Sequence, residues 1–153
     1  MLLYRICKKK YAKDLSGSGS KITSGRFNSK GIAVLYTASS FPLATLEILV
    51  HVDKDLLPKN LVLVELSIPN RIIIDEIKIS QLGKLWYKYP SPTYCKKIGD
   101  DWYKSHSSLA LKVPSAVTRN NSDFNIVLNP SHVDFNKVKI NSIKNFTLDP
   151  RLF

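Results

Sequence analysis

A single glutamate lies in the middle of a helical segment that is otherwise apolar. The helical neighbours of Glu47 at i−4, i−1 and i+3 are Leu43, Leu46 and Val50, so the acid shares a stripe with core residues. No lysine or arginine lies three or four residues away, and His51 is the only local polar partner. Because burying an unpaired carboxylate costs several kcal/mol, Glu47 either reaches solvent at the rim of the helix or stabilises a cationic group in a cleft.

Two arginines are placed where they need an anion. Arg26 lies with Asn28 in the glycine-flanked segment GRFNSKG (25–31), and a guanidinium fork in such a loop binds phosphate or carboxylate oxygens bidentately. Arg5 lies inside an apolar strand, where the buried Glu47 or a ligand phosphate would supply its partner. Both arginines are therefore candidates for binding an anionic ligand.

Tyr36 and Ser115 complete the set of candidate binding residues. Tyr36 lies in the predicted strand IAVLYTA, where its ring either packs in the core or stacks on a ligand. Ser115 follows Pro114 at a predicted strand end, which places its hydroxyl where binding groups are often found. No G-x-S-x-G elbow surrounds Ser115, so we do not expect a hydrolase nucleophile.

The bulk charge is the one unusual property of the composition. The 153-residue chain carries a formal net charge of +11, which predicts attraction to nucleic acid, a phosphate-bearing small molecule or an acidic protein. The excess is mostly lysine spread along the chain, and the five arginines are scattered singly. A nucleic-acid-binding protein more often concentrates basic residues in a stripe with interleaved aromatics. A lysine-rich solvated surface explains the same charge equally well.

The cysteines and histidines form no recognisable site. Cys7 and Cys95 are too few and too far apart for a disulfide framework or a zinc site, and they suit a reducing cytoplasm. The three histidines lack metal-ligand spacing, so we expect no bound metal. No apolar run approaches the roughly 20 residues that span a bilayer, and the N-terminal residues are in the wrong order for a secretory signal. We therefore expect a cytoplasmic protein.

The pattern of apolar residues predicts more strand than helix. Ser39 or Ser40 caps a helix with Pro42 in its first turn, and we expect that helix to run to about Val52. A second helix is predicted over 98–107, and the Gly- and Ser-rich segment 14–29 and the segment 88–94 are predicted to be loops. Strands are predicted at 2–6, 32–38, 60–68, 71–75, 109–113, 124–129 and 145–148. The expected fold is a compact single α+β domain over residues 1–153, mainly β with few helices.

Six segments occur in an order that is typical of one family. They are LYRI, the Gly-rich loop with GRFN and KG, VLYTASS, LATLEILVH, VPSAV and FNIVLNPSH, followed by F-x-x-D-x-R at Phe146, Asp149 and Arg151. From Leu3 to about Arg151 the chain thereby resembles the RES-domain toxins, a family named for its Arg, Glu and Ser residues. The family loop usually reads G-G-R-W-N, and Ser24 and Phe27 are mild departures from it that keep Arg26 and Asn28 in place.

The resemblance implies a fold like that of the ADP-ribosyltransferases and an enzyme that consumes NAD, releasing nicotinamide. It implies the toxin of a bacterial toxin–antitoxin pair, with a Xre-type helix-turn-helix antitoxin covering the active site. The acceptor is water or inorganic phosphate in one version, and a protein target in the alternative, a mono-ADP-ribosyltransferase. No metal, no membrane and no direct nucleic-acid contact is implied, and a basic nucleic-acid-binding module is the non-enzymatic alternative.

Matched residue by residue, the resemblance assigns a role to each candidate. The catalytic residues would be Glu47, Arg5 and Ser115, and the NAD-binding residues would be Arg5, Arg26, Asn28, Tyr36 and Ser115. Glu47 would stabilise the oxocarbenium-like charge formed when the nicotinamide–ribose bond breaks. Arg5 and Arg26 would hold the pyrophosphate. Tyr36 would stack on the nicotinamide or its ribose, and Ser115 would hydrogen-bond to the nicotinamide end.

Overall fold

Seven strands form one mixed sheet in the computed structural model, which describes residues 1–52, 58–120 and 122–152. The strands are β1 (Leu2–Lys8), β2 (Leu35–Ala38), β3 (Leu61–Ser67), β4 (Ile74–Glu76), β5 (Ala110–Pro114), β6 (Phe124–Leu128) and β7 (Lys139–Phe146). Their order is β4-β5-β6-β2-β1-β3-β7, and neighbours are antiparallel except β4 and β5. The α-helices are α1 (Ser18–Thr23), α2 (Phe41–Leu49) and α3 (Thr93–Ser105). The predicted α+β class is confirmed.

The sheet divides between β1 and β2. These two strands share a single register pair, Tyr4 with Ala38, whereas β1 pairs with β3 along all seven of its residues. One half of the sheet is thus β4-β5-β6-β2 and the other is β1-β3-β7. A common core cluster takes buried side chains from both halves, among them Leu3, Leu35, Val64, Leu66, Ile126 and Leu128. The long segment that connects β1 to β2 begins and ends beside this division.

Helix α2 begins as its sequence predicts. Ser40 is the N-cap, its Oγ accepts from the backbone N–H of Leu43 at 3.3 Å, and Pro42 lies in the first turn. The helix packs against the division of the sheet, because Leu43 and Ala44 are buried against Ala38, with Tyr4 and Ile6 of β1 alongside. It ends at Leu49 and not at Val52 as predicted, since Val50 is the C-cap.

Helix α3 begins five residues before its predicted start at 98. Pro92 provides its N-cap, so the helix takes up the end of the segment 88–94, which was wrongly predicted to be loop throughout. Cys95 and Trp102 are buried on its inner face in a second core cluster with Phe27 and Leu111. At Gly99 the helix lies so close to the loop of Phe27 that an added Cβ would be 1.9 Å from the Phe27 carbonyl oxygen.

Helix α1 and strand β7 also differ from prediction, because tertiary contacts outweigh weak local signals, and strands β2 and β4 each begin three residues later than predicted. Helix α1 lies within the predicted loop 14–29, and hydrogen bonds to a residue outside the helix hold it in place. Ser20 Oγ donates to the Val34 carbonyl at 2.7 Å and accepts from the Val34 N–H at 2.9 Å. Strand β7 begins at Lys139 and not at Asn145. Most of its side chains are exposed at the edge of the sheet, so it lacks the apolar alternation that marks a strand.

Candidate active site

The carboxylate of Glu47 on α2 accepts hydrogen bonds from two side chains in the half of the sheet formed by β4-β5-β6-β2. Ser115 Oγ donates to Glu47 Oε1 at 2.8 Å, and Asn125 Nδ2 donates to the same oxygen at 2.6 Å. Among the described residues, nothing donates a hydrogen bond to the second oxygen, Oε2. Because Glu47 is only partly buried, its side chain has one oxygen fixed by the protein and one available to a ligand.

Strand ends place these two donors. Ser115 directly follows the last residue of β5 and is fully buried, and its Oγ also accepts from the N–H of Val117 at 3.2 Å. Asn125 is the second residue of β6 and pairs with Val113 on one side and Ala38 on the other. Since paired residues of adjacent strands share a face, Asn125 lies on the face against which α2 packs.

Asn125 is a site residue that the sequence reasoning did not single out. A carboxylate only accepts hydrogen bonds, so the amide atom facing Glu47 must be Nδ2, and Oδ1 then points away. Oδ1 is buried and has no hydrogen-bond partner among the described residues. The available signal was an amide within the otherwise apolar strand FNIVL, where β-propensity disfavours asparagine.

Tyr36 and Asn28 are brought together, and Tyr36 lies on the same face of the sheet as Asn125, because it is two residues from Ala38, the partner of Asn125 in β2. The Tyr36 hydroxyl donates to Asn28 Oδ1 at 2.8 Å and accepts from the N–H of Phe27 at 3.0 Å. Burial raises the pKa of Tyr36, so this phenol stays protonated. Asn28 is fully buried, and its Nδ2 donates to the carbonyls of Ser20 and Ile32, both at 2.9 Å. The hydrogen-bonding capacity of both side chains is thus used to shape the glycine-flanked loop.

Arg26 is half-buried, and three N–H groups of its guanidinium donate hydrogen bonds to main-chain carbonyls. Nη1 donates to the carbonyls of Trp86 and Lys88, the latter at 3.0 Å, and Nη2 donates to that of Tyr87 at 3.3 Å. Burial lowers the pKa of Arg26, while the charge of Glu47 is among the influences that raise it. Arg26 therefore ties the loop 25–31 to the segment 86–88 on the side of the site where Glu47 lies.

The structure does not bring Arg5 to the Glu47 carboxylate. Tyr4 and Ile6 pack with α2, so Arg5, between them in β1, points to the opposite face of the strand. Its Nη1 donates to the carbonyl of Asp14 at 2.8 Å, and no ion pair joins it to Glu47 within the described ranges. The side-chain carboxylate of Asp14 has separate partners, because hydrogen bonds from Ser16 and Ser18 lower its pKa to about 2.

Comparison with known proteins identifies the family. A model of the RES domain matches residues 2–149. The chain belongs to the RES domain family. The Prs ADP-ribosylating toxin of Sphingobium sp. (strain YBL2) is 35% identical over 92% of this chain and 88% of its own length. Toxin Res of Photorhabdus laumondii is 38% identical over 99% of this chain and 97% of its own length. The resemblance on which the sequence-based assignments depend is thereby confirmed.

The fold of this RES domain also matches a solved structure. A chain of the M. tuberculosis MbcT–MbcA toxin–antitoxin complex superposes with a TM-score of 0.78, covering 99% of this chain and 85% of that one at 16% identity. At 16% identity this match shows a similarity of fold alone.

Two further properties of the RES domain concern metals and membranes. Over the described ranges 1–52, 58–120 and 122–152, no group of three or more His, Cys, Asp and Glu side chains is arranged to hold a metal ion. In that same part of the chain, no helix has the length and apolar character to cross a membrane.

Proposed function

We propose that this RES-domain protein is the toxin of a toxin–antitoxin pair and that it cleaves the nicotinamide–ribose bond of NAD. The observation that carries the proposal is the Glu47 carboxylate, whose Oε1 is held by Ser115 and Asn125. In the reaction the ribose C1′–N bond breaks, its electron pair leaves with nicotinamide, and positive charge develops on the ribose as in an oxocarbenium ion. The free oxygen of Glu47 would stabilise this charge.

The other candidate residues take supporting roles in this proposal. Ser115 would orient Glu47 and contact the nicotinamide end, while Tyr36 would offer its ring to the nicotinamide or its ribose. Asn28 would keep the glycine-flanked loop in shape beneath the dinucleotide. Arg5 and Arg26 are the expected pyrophosphate ligands. Arg26 would use the N–H groups that do not donate to the segment 86–88, whereas Arg5, which points to the face of β1 away from α2, would have to release the Asp14 carbonyl.

An acceptor oxygen must then attack the same carbon, which is C1″ of the ADP-ribose product, and complete the reaction. With water the products are nicotinamide, ADP-ribose and a proton, and with inorganic phosphate the sugar product is ADP-ribose carrying a phosphate at C1″. A second candidate function is transfer of ADP-ribose to a protein side chain. The name of the Sphingobium relative, an ADP-ribosylating toxin, favours that alternative.

Product analysis tests the proposed function directly. Purified protein is incubated with labelled NAD, with and without phosphate and with and without cell extract, and nicotinamide, ADP-ribose, its phosphate and labelled protein are quantified. Glu47→Gln keeps the size of the side chain and loses the charge, and we expect it to lower the rate of nicotinamide release by at least about 100-fold. Glu65→Gln on β3 is the matched control. Undiminished NAD loss with folded Glu47→Gln would refute the proposal.

The proposed partner is a Xre-type antitoxin with a helix-turn-helix, which covers the site. The match to a chain from a toxin–antitoxin complex supports a partner of this kind, and the net charge of +11 suits an acidic antitoxin surface. We expect the co-expressed antitoxin to copurify with the protein and to stop nicotinamide release. A tight complex that leaves NAD cleavage unchanged would place the antitoxin elsewhere on the surface.

A further inference from the structure

Two arginines contact the segment 86–88, and they differ in what their guanidinium groups are free to bind. Arg26 donates to three successive carbonyls of this segment. Arg119 instead lies over the ring of Tyr87, with its guanidinium carbon 4.2 Å from the ring centroid. A cation–π contact of this kind uses no N–H donor in a hydrogen bond to an oxygen, so the donors stay available. Arg119 is exposed, and among the described residues its guanidinium makes no hydrogen bond or ion pair.

The acid closest to Arg119 in the sequence is already engaged. Asn120 Nδ2 donates to Asp123 Oδ2 at 2.9 Å, and Asn120 Oδ1 accepts from the N–H groups of Ser122 and Asp123. Asp123 therefore stabilises its own turn, and its carboxylate makes no ion pair with Arg119 within the described ranges. The positive charge of Arg119 remains available to an incoming anion.

The turn that carries Arg119 also carries Ser115. The N–H of Arg119 donates to the Ser115 carbonyl at 3.0 Å, and the hydroxyl of Ser115 donates to Glu47. Arg119 has a φ of +55°, a left-handed conformation that costs a non-glycine residue free energy and is concentrated at functional sites. The turn thus holds the backbone of Arg119 one hydrogen bond away from the residue that positions the carboxylate.

We propose that Arg119 is a specificity-determining residue that binds the diphosphate of the dinucleotide substrate, an inference that rests on the proposed NAD-cleaving function. A planar guanidinium fork matches two phosphate oxygens bidentately, and the contact with the Tyr87 ring restricts its position before the substrate arrives. Arg26 donates three N–H groups to the carbonyls of the segment 86–88, which holds that segment in place, and its remaining N–H groups would face the same diphosphate. Cleavage of NAD would then need Glu47 at the ribose and Arg119 at the diphosphate.

Steady-state kinetics of Arg119→Gln test this assignment. Loss of a charge-assisted contact formed equally in the ground state and the transition state raises KM and leaves kcat largely unchanged. We expect the KM for NAD to rise by about 10- to 100-fold. The inhibition constant of ADP-ribose, which carries the diphosphate, should rise in the same proportion, while that of nicotinamide should stay constant. Arg71→Gln, which removes an exposed arginine between β3 and β4, is the matched control.

Three other outcomes have defined meanings. An unchanged KM, or a change no larger than in Arg71→Gln, overturns the assignment. A parallel loss of nicotinamide and ADP-ribose binding, or a lowered melting temperature with reduced kcat, shows that Arg119 only supports the structure and also overturns it. Absence of NAD cleavage by the unsubstituted protein refutes the proposed function itself, so the two failures are distinguishable. Arg119→Lys, which keeps the charge without the fork, should fall between wild type and Arg119→Gln.

Discussion

Replacing Asn125 with alanine removes one of the two donors that hold Oε1 of Glu47. Ser115 alone then fixes the carboxylate through one hydrogen bond, and the plane of the carboxylate can rotate about that contact. Oε2 would no longer be held in a single direction toward the ribose. If the proposed function is correct, this change lowers the rate of the chemical step while the site can still bind NAD.

The size of the effect follows from the contact that is lost. A hydrogen bond to a charged group contributes about 1.5–3 kcal/mol, and Nδ2 donates to Oε1 at 2.6 Å, which is shorter than an ordinary N–H···O bond. Loss of that free energy from the transition state lowers kcat by about 10- to 100-fold. Fold stability should change much less, because the substitution also removes Oδ1, a buried acceptor whose lack of a partner costs about 1–3 kcal/mol.

Nicotinamide release and thermal unfolding, measured on the same preparations, check both parts of the prediction. Asn125→Ala should show reduced kcat, a similar KM for NAD and a melting temperature close to that of the wild type. Asn145→Ala, on the exposed edge strand β7, is the matched control and should match the wild type in all three. An unchanged kcat would refute the view that Asn125 positions Glu47. A strongly lowered melting temperature would show that its role is in the fold.

Three further substitutions test the framework of the site. Tyr36→Phe leaves a loop N–H and a buried amide oxygen without partners, so urea unfolding should show a loss of about 1–3 kcal/mol. Gly99→Ala would place a Cβ 1.9 Å from the Phe27 carbonyl oxygen and should lower the melting temperature sharply, whereas Gly19→Ala in α1, with open space around it, should not. Asp14→Asn removes a carboxylate whose hydrogen bonds lower its pKa to about 2. The wild type should therefore be more stable than Asp14→Asn above pH of about 4 and lose that advantage as the pH falls through about 2, as urea unfolding across this range would reveal.

Local chemistry made the best-defined elements predictable. The cap at Ser40 with Pro42 behind it located the start of α2, because those residues satisfy and pre-organise the first turn whatever the rest of the chain does. Helix α1 and strand β7 were harder, since one is held by Ser20 against a distant backbone and the other is an exposed edge. Their stability comes from neighbours far away in sequence, which a local pattern does not contain.

The candidate site likewise contains one residue that local sequence identifies and partners that only the fold brings to it. An acid on an apolar helix indicated that Glu47 needs a partner, but no spacing rule connects residue 47 to residues 115 and 125. The sheet order makes the connection, since β6 lies between β5 and β2 and brings Asn125 beside Ser115. For Arg5 the sequence required an anion, and the structure supplies the Asp14 carbonyl as its acceptor instead.

Hydrogen-bond capacity separates the residues that build the site from those that can act on a ligand. The amide of Asn28 donates to main-chain carbonyls, and three N–H groups of Arg26 do the same, so using those donors on a substrate would first cost those bonds. Oε2 of Glu47 and the guanidinium of Arg119 have no such cost among the described residues. A site in which the carboxylate and an exposed cation keep spare capacity, while most donors of the supporting residues are engaged, is pre-organised for a ligand that combines a cationic centre with phosphates. NAD has this distribution of charge, because its nicotinamide ring is cationic, this positive charge passes to the ribose on cleavage, and its diphosphate is anionic.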